Sequence, residues 1–180
     1  MTLIKAVKFS DYSSPHYWPT WFCIGLMRVV VLMPLPLIVV LGSALGRMLY
    51  RLATQRRQIG EINLRIAFPD YSPKQIQQLN KACFRNLGTA VFEIGLSWWE
   101  SKRLLTMYET EGLKHLKEAE RQGKGVIILT AHFTCVEIGG PLLNQHVPTQ
   151  VMYRRQSNEL YGFHVRTSVV LHERIEQLVT

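Results

Sequence analysis

The chain has 180 residues, of which 47% are hydrophobic and 19% are charged, and its formal net charge is +8. This length suits one domain, or one domain with an anchor, and the composition is rich in apolar residues for a soluble protein. An excess of positive charge favours anionic partners, but the chain has neither zinc-finger spacing nor a Lys/Arg block typical of a nucleic-acid arm. The sequence therefore predicts a membrane surface, and no nucleic acid, as the partner.

An apolar stretch from residue 21 to residue 46 contains Arg28 as its only charge. Its last 18 residues carry no charge, which is long enough for a membrane helix. Arginines cluster directly after the stretch and predict that the rest of the chain lies in the cytoplasm. We expect an N-terminal segment over residues 1–57 with a membrane anchor at about 21–46. This segment would cross the membrane or re-enter it, and Pro34, Pro36 and Arg28 keep open the alternative of a buried or in-plane helix.

Helical patterns fill the next part of the chain, which we expect to be a helical region over residues 58–106. Residues 51–67 carry apolar side chains at helical spacing until a Phe-Pro-Asp sequence breaks the pattern. Ser72 as the N-cap and Pro73 as the first helical residue predict a second helix that runs to about Glu100. Apolar residues at every third or fourth position predict its buried face: Ile76, Leu79, Cys83, Leu87, Val91, Ile94 and Trp98.

A different pattern begins at Met107, with a short strand candidate at 108–110 and an amphipathic helix over 112–122. The helix is predicted to end at the Gly-Lys-Gly sequence directly after it, because glycine commonly terminates helices. Residues 126–130 form an apolar run rich in β-branched residues, typical of a strand buried on both faces of a parallel sheet.

A helix from about Thr134 to Asn144 and a further strand over 150–153 complete a β-α-β order. This order predicts an α/β fold with a partial sheet, in which functional residues lie at the carboxyl ends of the strands. His132 falls at such a strand end, just after the 126–130 run.

His132 and Glu137 are the candidate catalytic residues. A strand-to-helix turn can bring the two side chains together, and the carboxylate would then fix the imidazole tautomer and leave the other nitrogen free to accept a proton. A hydroxyl that attacks an acyl group needs such a base. The alternative, a structural histidine at the strand end, remains open because His-x4-Glu occurs often by chance.

Two other interpretations of this segment are less favoured. Cys135 could act as a nucleophile with His132, but it has no further acid besides Glu137, and the three cysteines of the chain are expected to be free thiols. The histidines lack the i, i+4 pairing of metalloprotease helices, so the sequence predicts no metal.

The basic pair Arg154-Arg155 comes after the last predicted strand. A guanidinium binds an oxyanion in bidentate fashion, so an arginine at a strand end suits a phosphate. A solvated surface pair is the alternative.

Taken in order, these residues resemble the late acyltransferases of lipid A biosynthesis, the lauroyl/myristoyl acyltransferases of Gram-negative bacteria. The resemblance runs from about residue 16 to about residue 162. The stretches that match are Tyr17–Trp21, the apolar anchor, Asn63–Pro69, Phe92–Trp99, Gly125–Leu129, His132-Phe133 with Glu137, and Tyr153-Arg154.

The resemblance implies transfer of a fatty acyl group from acyl carrier protein to a hydroxyl of a lipid A precursor, at the cytoplasmic face of the inner membrane. It implies His132 as the base, Glu137 as its partner and Arg154 as a residue that binds the anionic substrate. No cofactor is implied. The related glycerolipid acyltransferases usually have Asn-His-x4-Asp, and the Ala131 and Glu137 found here favour the lipid A branch over that alternative.

The family pattern continues beyond this length, and the tail over residues 163–180 diverges from it. We therefore expect residues 107–180 to form a partial acyltransferase domain of a truncated member. An inactive, membrane-anchored remnant is the alternative to an active enzyme.

Overall fold

The computed structural model describes residues 12–131, 133–147 and 158–162. Within these ranges the chain is mostly helical. The elements are a 3-10 turn at Pro15–Tyr17 and helices α1 (Trp18–Val31), α2 (Leu35–Leu52), α3 (Thr54–Ala67), α4 (Pro73–Trp99), α5 (Ser101–Leu104), α6 (Leu113–Arg121) and α7 (Val136–Asn144).

The helices predicted after residue 50 are confirmed, and so is the start of α4. The Ser72 backbone N–H donates to Oε1 of Gln75 at 2.8 Å, while the Gln75 N–H donates to the Ser72 hydroxyl at 3.4 Å. This reciprocal capping box satisfies donors that the first turn of a helix leaves free. The end of α6 also agrees with the prediction, because Gly123 and Gly125 adopt φ of +67° and +76°.

The apolar stretch at 21–46 forms two helices, so the expected anchor is not one continuous helix. The break falls between Val31 and Leu35, because Pro34 disfavours helical backbone in the residue before it. Pro36 lies in the first turn of α2, where a missing N–H costs nothing. Among the described residues, Leu35–Leu52 is long and apolar enough to cross a bilayer, and only 17% of it is buried.

The chain divides into two compact units, one from Met27–Gly95 and one from Met1–Leu26 with Leu96–Thr180. In the first unit, α2 and α4 approach each other through glycines. A Cβ added at Gly88 would meet backbone atoms of Gly42 and lie 2.7 Å from the Gly46 Cα. One added at Gly42 would lie 2.6 Å from the Thr89 Cα. The two backbones are therefore in direct contact, as small-residue pairs allow.

Helix α3 packs on α4 in the same unit through Gly60 and Asn80. The Asn80 side chain is buried and donates from Nδ2 to the Arg57 carbonyl at 2.9 Å. A Cβ at Gly60 would lie 2.9 Å from Asn80 Oδ1. The bond satisfies a polar group that would be costly to bury alone, so it fixes the position of α3 on α4.

The predicted buried face of α4 is partly wrong. Ile76 and Trp98 are buried as expected, but Cys83, Leu87 and Val91 are exposed. From Ile76 onwards, buried residues recur every four positions, at Asn80, Phe84, Gly88 and Phe92. At the contacts with α2 and α3, α4 has a glycine, Gly88, and a hydrogen-bonding residue, Asn80. The periodicity of large apolar residues does not indicate that such residues are buried.

The predicted strands are not formed within the described ranges. Residues 125–131 are neither helix nor strand, and Ile127 and Leu129 are 98% and 96% exposed. A strand needs a neighbour to receive its backbone hydrogen bonds, and no described segment pairs with this one. The 108–110 candidate is likewise outside any strand. The 150–153 candidate lies outside the described residues.

The second unit has a small aromatic core. Tyr12, Ile24 and Leu160 are buried together, with Tyr17, Trp21 and Trp99 packed against them. The Trp21 indole donates to the Tyr12 carbonyl at 3.0 Å, which satisfies its polar edge. The core therefore joins residues from both ends of the described chain.

A methyl group at the α2–α4 contact should destabilise the protein. We expect Gly88→Ala to lower the free energy of unfolding by about 1–3 kcal/mol, since the Cβ meets backbone that has no rotamer to change. Chemical unfolding in detergent micelles, monitored by circular dichroism, measures the change. Gly25→Ala is the matched control, because a Cβ there meets nothing within 4 Å. Equal stability of the two variants would contradict the close contact.

Candidate functional site

One of the three predicted site residues lies within the described ranges. Glu137 is in the first turn of α7, as predicted. His132 and Arg154 lie outside the described residues, as does Arg155. The described part of the site is therefore Glu137 and its surroundings.

The Glu137 side chain is exposed at the amino end of α7. A carboxylate is favoured there because the free N–H groups and the helix dipole place partial positive charge at this end. The N-cap residue, Cys135, makes no side-chain hydrogen bond to the helix. Within the described residues, Glu137 takes part in no side-chain ion pair. The carboxylate is thus available to accept a hydrogen bond.

The backbone around Glu137 is also unusual. Pro141 lies inside α7 and has no N–H, so it cannot donate the usual helical bond to the Glu137 carbonyl. At Gly139, an added Cβ would meet nothing within 4 Å. The first half of α7 therefore presents an open surface and a carbonyl that lacks its helical donor.

The charge of Glu137 acts on an aromatic side chain of the same unit. The pKa of Tyr161 is raised above its ordinary value of 10.0, first because the phenol is buried and second because of the negative charge of Glu137. The Tyr161 ring lies 5.4 Å from that of Trp98 at 54°. Trp98 belongs to the Phe92–Trp99 stretch that carries the family resemblance. The sequence did not predict Tyr161 as a site residue, because an isolated tyrosine gives no signal.

Asn158 has a structural role within the described residues. Its Oδ1 accepts from the Tyr161 N–H at 3.0 Å, which caps the helical turn over 159–162, and its Nδ2 donates to Oγ1 of Thr20 at 3.0 Å. This cap holds the turn on which Tyr161 lies.

A cavity of about 260 Å³ is lined in part by the last turn of α7 and the residues after it. Leu113, Leu116, Leu142 and Leu143 form its apolar wall, and the other lining residues are Tyr108, Thr110, Glu111, Gly112 and His146. The Tyr108 hydroxyl and His146 Nε2 are 3.1 Å apart, which links the segment after α5 to the end of α7. Glu137 does not line this cavity, so the cavity is not the site that the sequence predicts.

The remaining candidates concern thiol and metal chemistry. Cys23, Cys83 and Cys135 are free and exposed, which confirms the expectation of free thiols. Within the part of the chain that the structure describes, no group of three or more His, Cys, Asp or Glu side chains could hold a metal ion.

The comparisons with known proteins agree on one family. The model of the bacterial lipid A biosynthesis acyltransferases matches residues 7–167. The chain is 34% identical over 155 residues to the lipid A biosynthesis palmitoleoyltransferase of Escherichia coli K12, covering 85% of this chain and 51% of that relative. It is 31% identical over 147 residues to the lauroyltransferase of the same organism, covering 81% of this chain and 48% of that relative. No solved structure matches the chain.

The extent of the family match identifies the class: the chain is related to acyltransferases over most of its length. It belongs to the bacterial lipid A biosynthesis acyltransferase family, as the resemblance predicted. The chain spans about half the length of the curated relatives that it matches. The matched range contains His132, Glu137 and Arg154.

Removal of the Glu137 charge should lower the pKa of Tyr161. In Glu137→Gln this pKa should fall towards 10.0 but stay above it, since burial is the larger cause. Titration of 13C-labelled tyrosines by NMR, with Tyr161→Phe to assign the signal, measures it. Glu118→Gln, on exposed α6, is the control and should change nothing. No shift in Glu137→Gln would mean that the carboxylate is not near Tyr161.

The same raised pKa predicts how stability depends on pH. The folded state holds the Tyr161 proton more tightly than the unfolded chain does. The contribution of Tyr161 to stability is therefore fully present below pH 10.0 and is lost as the pH rises through the higher folded-state value. Above pH 10.0, the free energy of unfolding should fall less steeply with pH in Tyr161→Phe than in the parent chain. Identical pH profiles would contradict a raised pKa of Tyr161.

The Tyr108–His146 bond should stabilise the end of α7. Tyr108→Phe keeps the ring and removes the hydroxyl, so we expect a loss of about 1 kcal/mol in the free energy of unfolding. Urea unfolding measures the loss. Tyr71→Phe is a suitable control, because Tyr71 is exposed and stacks on Phe68, a contact that the substitution retains. The bond contributes nothing if both substitutions have the same effect.

Proposed function

We propose that this chain takes part in lipid A biosynthesis as an acyltransferase. It would move a fatty acyl group from acyl carrier protein to a hydroxyl of a lipid A precursor. Family membership over residues 7–167 is the observation that supports this most directly. The relatives in Escherichia coli are a palmitoleoyltransferase, a lauroyltransferase and a myristoyltransferase of lipid A biosynthesis, so the family acts with different acyl groups.

In the proposed reaction, His132 is the general base. It takes the proton of the acceptor hydroxyl as that oxygen attacks the thioester carbonyl carbon. The new C–O ester bond forms, the C–S bond breaks, and the sulfur of the donor leaves with the proton that His132 held. Glu137 accepts a hydrogen bond from the second imidazole nitrogen and stabilises the imidazolium. Its exposed position at the start of α7 supports this role.

Arg154 is proposed to bind the anionic substrate. Its guanidinium offers the bidentate geometry that a phosphate accepts. The net charge of +8 supports the same class of partners, since both the lipid phosphates and an acidic carrier protein are negative.

The proposed location is the inner membrane, with the catalytic residues on the cytoplasmic face. Helix α2 supports a membrane location by its length and composition and by its low burial. Arg47 and Arg51 near its end support a cytoplasmic position for the rest of the chain. We also propose that residues 126–130 pair as a strand of an α/β sheet when the site is assembled. Their β-branched composition supports this.

An anchored protein without turnover is the second candidate. The observation that favours it is the exposure of Ile127 and Leu129, which an assembled sheet would bury. A full chain that inserts in membranes and unfolds cooperatively, yet transfers no acyl group, would establish this second function.

Replacement of His132 tests the enzyme proposal. Membranes that contain the full chain should acylate a tetra-acylated lipid A precursor with acyl carrier protein as the donor. His132→Ala should reduce the rate by about 10²- to 10⁴-fold, the contribution typical of a general base. Radiolabelled product separated by thin-layer chromatography measures the rate.

Two controls make this result specific. Cys135→Ala removes the exposed thiol next to α7 and should retain the rate, whereas a nucleophilic cysteine would make it inactive. Lysophosphatidic acid should not replace the lipid A precursor as acceptor. Acylation of that acceptor alone would favour a glycerolipid acyltransferase, and an unchanged rate in His132→Ala would exclude the proposed base.

A further inference from the structure

Helix α3 has an apolar face that no described part of the protein covers. It packs on α4 through Gly60, with Leu64 half-buried. On the other side, Ile59, Ile62 and Ile66 are 43%, 57% and 75% exposed. At about 100° per residue, the three isoleucines fall within an arc of about 60° that faces away from Leu64. A helix of a soluble protein normally places polar residues there.

The apolar surface continues past the end of α3. Phe68 and Tyr71 are exposed, and their rings stack at 4.9 Å with an angle of 30° between them. Tyrosine, whose ring carries a polar hydroxyl, is enriched where a bilayer meets water. The isoleucines and this aromatic pair therefore have a composition typical of a membrane-contacting surface.

Two arginines border the isoleucine face. Arg56 and Arg65 each lie about 60° beyond one edge of the isoleucine arc, at the helical angle of about 100° per residue. Arg56 is exposed, and Arg65 is exposed although it pairs with Glu61 at 2.8 Å. Helices that lie in a membrane interface have this arrangement, with apolar residues towards the acyl chains and basic residues at the level of the phosphates.

The connection between α2 and α3 constrains where this face can lie. Helix α2 ends at Leu52 and α3 begins at Thr54, so Ala53 alone joins them. If α2 crosses the bilayer, as proposed above, its carboxyl end and the start of α3 must both be near the headgroups. Arg47 and Arg51 in the last turns of α2 add positive charge at the same level.

From these observations we infer that α3 lies in the plane of the membrane interface and binds an anionic lipid surface. Ile59, Ile62 and Ile66 enter the acyl region, and Arg56 and Arg65 contact lipid phosphates. A second copy of this chain fits the face less well, because its own Arg56 and Arg65 would bring like charges together. The inference rests on the proposed function only through the insertion of α2.

Spin labels in the full chain test this placement directly. Cys23, Cys83 and Cys135 are first replaced by Ser, and a label is attached at Ile62→Cys in nanodiscs of phosphatidylethanolamine and phosphatidylglycerol. The matched control is Gln78→Cys, which is exposed on the side of α4 opposite Asn80 and so away from α3. Val40→Cys reports separately on α2, where this side chain is exposed.

Collision rates with oxygen and with a nickel chelate give the depth of each label. At residues 40 and 62 we expect the collision rate with oxygen to exceed that with the nickel chelate several-fold. At residue 78 we expect the nickel chelate to collide more often. In nanodiscs of phosphatidylcholine alone, the label at 62 should become more accessible to the chelate, because the attraction of the arginines is lost.

The other outcomes separate this inference from the proposed function. A label at 62 in water with the label at 40 in lipid would overturn the in-plane helix and leave the membrane location intact. If both labels were in water, the in-plane position of α3 and the proposed membrane location would both be wrong. Dipolar broadening between labels at 62 would show that a second copy covers the face. An equal depth in both lipid mixtures would contradict the role of anionic lipid.

Discussion

The direct backbone contact between α2 and α4 is the constraint on which the first compact unit depends. Gly42, Gly46 and Gly88 leave no room for a side chain between the two helices. Because α4 is held at this distance, its next turns present Asn80 to α3, which then packs through Gly60. The contact between small residues thus fixes α4 against α2, and α3 in turn packs on α4. Several large apolar side chains of α2 and α3, among them Val40 and Ile66, are exposed on this unit, where a bilayer would stabilise them.

The second unit carries Glu137, the proposed partner of the catalytic base. Glu137 lies in the first turn of α7, and its charge acts on the phenol of Tyr161. Burial and the charge of Glu137 both raise the pKa of Tyr161. Asn158 holds the turn on which Tyr161 lies. The Tyr108–His146 bond contacts the far end of α7. This bond holds the carboxyl end of the helix that carries Glu137, the proposed partner of the base.

Local signals in the sequence predicted the helices well, because caps and breaks are encoded by a few adjacent residues. Ser72 and Gln75 form the capping box, and Gly123 and Gly125 end α6 in left-handed backbone. Long-range contacts were harder to predict. The buried face of α4 includes Asn80 and Gly88, whose burial depends on the approach of α2 and α3. The prediction of a strand over 126–130 was wrong for the same reason, since strand pairing depends on a partner segment that a local pattern does not specify.

At the candidate site, Glu137 lies in the first turn of a helix, as the sequence predicted. Tyr161 had no local signature in the sequence. The family resemblance, carried by ordered motifs, was confirmed over most of the chain.

The proposal that this chain acylates a lipid A precursor can be tested in living cells. Mass spectrometry of lipid A tests it most directly, in a Gram-negative host whose own late acyltransferases have been deleted and which expresses the full chain. We expect a new lipid A species heavier by one acyl chain. Unchanged lipid A, with the folded protein present in the inner membrane, would contradict the proposal.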